Sequence, residues 1–130
     1  MAKRKEGKGK EGGPSELQDL CDAVRKTIGV VINNDEEDRA AGKRASDLAN
    51  SGLLIGKPRQ AIERMLGPGT QCGKYASGDS YTFQSFGFAR DDIYYSVGRL
   101  PDGWVGGVPN LVLGFDKDGK CSNVKVIHTQ

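Results

Sequence analysis

Leu111-Val112-Leu113-Gly114-Phe115-Asp116-Lys117-Asp118-Gly119-Lys120-Cys121-Ser122-Asn123-Val124-Lys125-Val126 is the stretch that decides the fold. Leu111, Leu113 and Phe115 alternate with Val112 and Gly114, and Val124 and Val126 alternate with Lys125. A period of two places each set on one side of a strand. Asp118-Gly119 between the two runs is a strong hairpin signal, because Gly accepts the positive φ that such turns need. The stretch therefore predicts two antiparallel strands.

Moving towards the N-terminus, Ile93, Tyr95 and Val97 alternate with Tyr94 and Ser96, which predicts a third strand. Tyr81-Thr82-Phe83 and Phe86-Gly87-Phe88 alternate with a register shifted by one, predicting a fourth strand with a bulge near Gln84–Ser85. In that reading Thr82, Gln84 and Tyr94 point away from the helices. The fold class expected is α+β: N-terminal helices on one face of an antiparallel sheet of about four strands, the other face free.

The helices come first along the chain. Ser15 followed by Gln18 is a capping-box pattern, and Leu17, Leu20, Cys21, Val24 and Ile28 recur at helical spacing, so residues 15–28 are expected to be a helix. Val30-Val31-Ile32 is either a buried connector or an extension of that helix. Asn33-Asn34 offers a second N-cap before the acidic run Asp35–Asp38, and Asn50-Ser51-Gly52 ends the helix that follows. Only Ala41, Ala45, Leu48 and Ala49 could form its buried stripe, which predicts a loosely held helix. A third helix is bracketed by Pro58 in its first turn and by Gly67-Pro68 at its end, with Ala61, Ile62, Met65 and Leu66 as its apolar face.

Length and charge set the bounds. The chain has 130 residues, 36% apolar and 28% charged, which suits one globular domain over residues 14–130. No apolar run approaches the roughly 20 residues needed to span a bilayer. The net charge of +2 is unevenly placed, since residues 1–13 hold five cations and two anions. The remainder is therefore slightly acidic, and its charge does not call for nucleic acid. Residues 1–13 contain almost nothing apolar, and are expected to be a disordered basic tail or an engineered leader. An engineered leader could have replaced an export signal, so the N-terminus leaves location undecided.

The residues for catalysis are missing from the pattern. His128, the single histidine, stands near the end of the last strand, where a surface role is expected. No nucleophile elbow, phosphate-cradling glycine loop or metal-ligand spacing occurs. Asp116-Lys117-Asp118-Gly119 resembles a fragment of a calcium loop but is explained as a turn. The expectation is a protein without enzymatic activity, cofactor or metal. Cys21 belongs to a buried helical stripe, and Cys72 and Cys121 lie near element ends. In an exported protein Cys72 and Cys121 are the expected disulfide; in a reducing compartment all three stay free.

The order of these elements resembles a known family. Leu54-Ile55-Gly56-Lys57-Pro58-Arg59-Gln60-Ala61-Ile62-Glu63-Arg64-Met65-Leu66-Gly67-Pro68 is similar to the conserved helix of the bacterial BamE (SmpA/OmlA) outer-membrane lipoproteins, and to the same element of the β-lactamase-inhibitor-protein fold. Gly78 to Phe88 is similar to a strand segment of that inhibitor, and Leu111 to Lys120 resembles the closing hairpin of both. The resemblance covers about residues 53–127. Lys57-Pro58 stands where the family has Met-Thr, Ser80 replaces an aromatic, no lipobox precedes Cys21, and one unit is present where the inhibitor has two.

The resemblance implies a protein-binding module of the bacterial cell envelope. Its partner would be an outer-membrane assembly component or a secreted enzyme, with Asp79 and Phe83 in the positions of inhibitor contacts. It would act in the periplasm or at the periplasmic face of the outer membrane, and in the cytoplasm if the basic leader is native. Membrane attachment would need a lipid anchor that the sequence does not display, and a homo-oligomer is allowed. Beside this, Arg99 to Pro109 is a Gly/Pro-rich loop carrying Trp104, the single tryptophan. Trp, Tyr and Arg anchor interfaces, so Tyr94, Arg99 and Trp104 are the candidate partner-binding residues. The alternatives are an inhibitor of a secreted enzyme, or a cytosolic module whose tail contacts nucleic acid.

Overall fold

The computed structural model describes residues 14–74, 80–101 and 107–128. The tail 1–13 and the candidate residues Asp79 and Trp104 lie outside them. Helices α1 (Pro14–Arg25), α2 (Asp35–Ser51) and α3 (Arg59–Leu66) precede strand β1 (Thr70–Gln71), a short 3₁₀ turn (Cys72–Lys74) and helix α4 (Ser80–Ser85). Strands β2 (Ile93–Ser96), β3 (Pro109–Phe115) and β4 (Cys121–His128) follow. The four strands form one antiparallel sheet in the order β1-β2-β3-β4, the α+β class that the sequence predicts.

The hairpin falls where the alternation placed it, with Leu113 opposite Val124 and Leu111 opposite Val126. Its turn is the three-residue form. The Gly119 N–H donates to Asp116 O at 2.9 Å, Gly119 has φ +79°, and the Asp116 N–H donates to Lys120 O at 2.9 Å. Asp116 Oδ1 also accepts from the N–H groups of Asp118 and Lys120. Ser122 is the extra residue of a bulge, since Gly114 faces Asn123 while Phe115 faces Cys121.

Leu111, Leu113, Ile93 and Tyr95 project from one face into a core shared with Leu17, Cys21 and Val24 of α1, Ala41, Ala45 and Leu48 of α2, and Ile62 and Leu66 of α3. α2 buries two alanines and a leucine of the expected stripe, and these small side chains let its backbone approach β3 and β4 closely. Asn34 caps it by accepting from the Glu37 N–H at 2.8 Å, while Glu37 Oε1 accepts from the Asn33 N–H at 2.8 Å. Gly52, with φ +73°, closes it. α1 begins at Pro14, one residue before the expected start, and the Gln18 amide donates forward to Asp22.

Three expectations are corrected. Residues 81–83 are part of helix α4 rather than a strand, and Phe86–Phe88 form a turn with Gly87 at φ +95°. Three-residue alternations are too short to separate strand from helix. The fourth strand is instead β1, whose Thr70 and Gln71 are both exposed and pair with Tyr94 and Ile93. Finally, the second face of the sheet is partly covered: Phe83 and Phe88 pack with Cys72, Val112 and Ile127 in a separate small cluster.

Candidate functional site

The candidate residues do not converge on the second sheet face. Phe83 is fully buried at the floor of the α4 cap, so its ring faces the sheet rather than a partner. Tyr94 is half-buried beneath it, the two rings 5.1 Å apart and tilted by 40°. Gln84 and Phe86 are exposed on the outside of the cap. Arg99 is exposed at the other end of the sheet, beyond β2. Cys72 and Cys121 are both buried free thiols, and the conditional disulfide is absent. Its absence has a geometric cause: Cys72 belongs to the small cluster on one face, Cys121 to the main core on the other.

Around Arg99 the chain builds a groove. α1 ends at Arg25, and Gly29 at φ +76° turns the chain into an extended connector. That connector pairs in parallel with the segment leaving β2. The Arg99 N–H donates to Val30 O at 2.8 Å and the Ile32 N–H donates to Arg99 O at 2.7 Å. Gly98 is needed at the contact. It has φ +123°, and an added Cβ would stand 2.2 Å from Ile32 Cδ1. Between this connector and the first half of α2 lies a groove of about 360 Å³, lined by Thr27, Val30, Val31, Ile32, Asn33, Glu37, Ala40, Ala41, Arg44 and Gly98. Its floor is apolar because the facing helix positions are alanines. Val30 stands at the rim with 52% of its surface exposed, and Arg44 supplies a cation. A second depression of about 550 Å³ lies on the outer side of α3, between Gln60, Glu63, Arg64 and Pro68.

The buried polar groups hold backbone. Asp92 Oδ2 accepts from the Ala89 N–H at 2.8 Å and Oδ1 from the Phe115 N–H at 3.1 Å, while its own carbonyl accepts from the Cys72 N–H at 2.7 Å. One carboxylate thereby ties the end of the cap to β3. Asn110, fully buried, accepts from the Ser96 hydroxyl at 2.8 Å and donates to Val108 O and Ile127 O. Tyr95 donates to Gly67 O at 2.8 Å, and burial, reinforced by the charge of Glu63, raises its phenol above the ordinary range. Burial, helped by neighbouring Asp22, pushes the Cys21 thiol up to about 11. Burial and then the charge of Asp92 push Cys72 up to about 12, and burial also raises Cys121. Thiols so strongly protonated are poor nucleophiles at neutral pH. His128 Nε2 lies 3.3 Å from Asp38 Oδ1, an exposed contact joining the end of β4 to the first turn of α2.

Arg99 is legible in the sequence, but the groove is not. Its walls come from segments about 55 residues or more apart from Gly98, and only a non-local pairing brings them together. The signal that existed was the run Val30-Val31-Ile32 with no helical or strand partner of its own. The molecule is a two-layer α+β domain with a capped second face. No family model, curated protein or solved structure matches the chain.

Proposed function

We propose that this chain is a non-enzymatic protein-binding module of the BamE/β-lactamase-inhibitor kind, working in the bacterial cell envelope. It binds through the groove between the connector and α2, together with the loop that leaves Arg99. The observation that carries this reading is Val30, half exposed on the rim of an apolar groove whose lining also holds Arg44 and Glu37. An apolar floor with Arg44 and Glu37 on its walls suits a partner segment that presents an apolar side chain flanked by charges of both signs. The engagement of Asp92, Asn110 and Tyr95 with backbone supports a structural rather than a catalytic use of the buried polar groups. The narrower inhibitor reading is not carried forward, because Phe83 is buried under the cap.

Selection of displayed random peptides tests the groove. The full chain should enrich segments that place an apolar residue among charged ones, and Val30→Asp should abolish that enrichment. Peptides retained equally by Val30→Asp would place binding elsewhere. Fractionation of the native host tests the compartment: the periplasmic or outer-membrane fraction is expected, and recovery in the cytosol would overturn the envelope assignment.

A further inference from the structure

The two edges of the sheet are treated differently. Along the outer edge of β2, β1 pairs with Ile93 and Tyr94, and further on the connector pairs with Arg99. Along β4 only the beginning is covered. Cys121 donates its N–H to Lys57 O at 2.8 Å and accepts from the Gly56 N–H at 2.8 Å. The direction of the remaining groups follows from the ladder. Pro109 O accepts from the Val97 N–H, so Pro109, Leu111 and Leu113 turn their backbone towards β2. Their partners His128, Val126 and Val124 must then turn their N–H and C=O groups outward. Among the described residues no backbone group meets them.

We propose that this edge pairs with the same edge of a second copy of the chain, antiparallel and centred on Val126. The choice of a second copy rests on register. With Val126 opposite Val126, Val124 falls opposite His128, so every outward-facing residue meets another outward-facing one. About six hydrogen bonds result from three such pairs. The same register sets Lys125 opposite Ile127 of the other copy. Shifting it by one pair, so that Lys125 faces Lys125, puts like charges together. Shifting it further drives the new strand into the segment Gly56–Pro58. A shift the other way, with Ile127 opposite Ile127, avoids both faults but keeps only two pairs among Val124, Val126 and His128. The register centred on Val126 keeps all three, and it joins two sheets into one of eight strands. Lone β4 keeps Lys125 as a guard against indiscriminate edge pairing, and the self-pairing register accommodates it. Such a short edge covers well under the roughly 1,200 Å² of a standard interface, so association is concentration-dependent.

Sedimentation equilibrium on the full chain over a wide concentration range is the first test. A shift from one chain to two is expected, and a single chain at every concentration, or a particle of three or more, overturns the proposal. Val126→Pro removes an outward N–H, and is expected to give one chain at all concentrations with an unchanged far-ultraviolet spectrum. Because that variant could disturb the half-buried Val126 site, cross-linking gives an independent reading. Val126→Cys should oxidise to a covalent dimer, since the two positions face each other. Lys125→Cys should do so several-fold less, its copies lying on a diagonal of about 7–8 Å. The reverse order of yields overturns the register.

Discussion

The two faces of the sheet are closed in different ways. One carries a core drawn from three helices, the connector and three strands, in which Leu48, Ile62, Ile93, Leu111 and Leu113 are almost wholly buried. The other carries a cap of one short helix and a turn, in which Phe83 and Phe88 cover Val112, Ile127 and Cys72. Contacts in the first join residues from Leu17 to Val126. The cap is local: α4 is six residues long, and its end is fastened chiefly by Asp92 and the two phenylalanines. A short helix has little stability of its own. The main core should therefore set global stability, and the cap should be able to open while the rest stays folded.

Substitutions in the two faces should have unequal costs. Leu111→Ala in the main core should cost about 4 kcal/mol in urea unfolding, within the usual range for a fully buried leucine. Phe83→Ala should cost only about 2 kcal/mol, below the usual range for phenylalanine, because local opening of the cap limits the loss. If Phe83→Ala proved the more damaging of the two, the cap would be integral to the fold. Gly98→Ala should cost about 1–2 kcal/mol through its positive φ and the collision with Ile32. It should also weaken any ligand of the groove while leaving the cap intact, as near-ultraviolet dichroism and peptide binding would show.

The smallest effect at neutral pH concerns the thiols. Cys21 and Cys72 keep their protons in the folded state up to about pH 11 and 12, whereas in the unfolded chain they lose them near 9. Above 9 the folded state thus binds more protons than the unfolded one, so stability falls as pH rises from about 9 to 12 and is indifferent to these groups below 9. Urea titrations at pH 8 and 10.5 should differ in that direction, and Cys21→Ala with Cys72→Ala should reduce the difference. Of the two thiols, Cys72 under the cap should react first with a thiol reagent at pH 8, sharpening the contrast between the faces.

Much of the larger face is legible in the sequence. Alternation over Leu111–Phe115 and Ile93–Val97, the Asn34 cap and the Pro58/Gly67 bracket of α3 are local signals, and each produced its element. The cap is not legible because Phe83 and Phe88 reach the sheet from a helix and a turn, a convergence with no short period to announce it. β1 left no trace, since two exposed residues joined by backbone alone carry no apolar pattern. The role of Asp92 is hidden because a carboxylate beside another, Asp91, reads as surface until its backbone partners are known. The groove was hidden for the same reason as β1: it depends on a pairing between Val30–Ile32 and Arg99 that only the folded chain makes.

Hydrogen exchange on the full chain, read residue by residue, tests most directly whether the two faces are independent. Amides of Ala45–Leu48 and Leu111–Leu113 are expected to exchange only through global unfolding, and those of Phe86–Phe88 orders of magnitude sooner with a weaker dependence on urea. Exchange of both sets at one rate, with one urea dependence, would contradict the account and make the cap part of a single cooperative core.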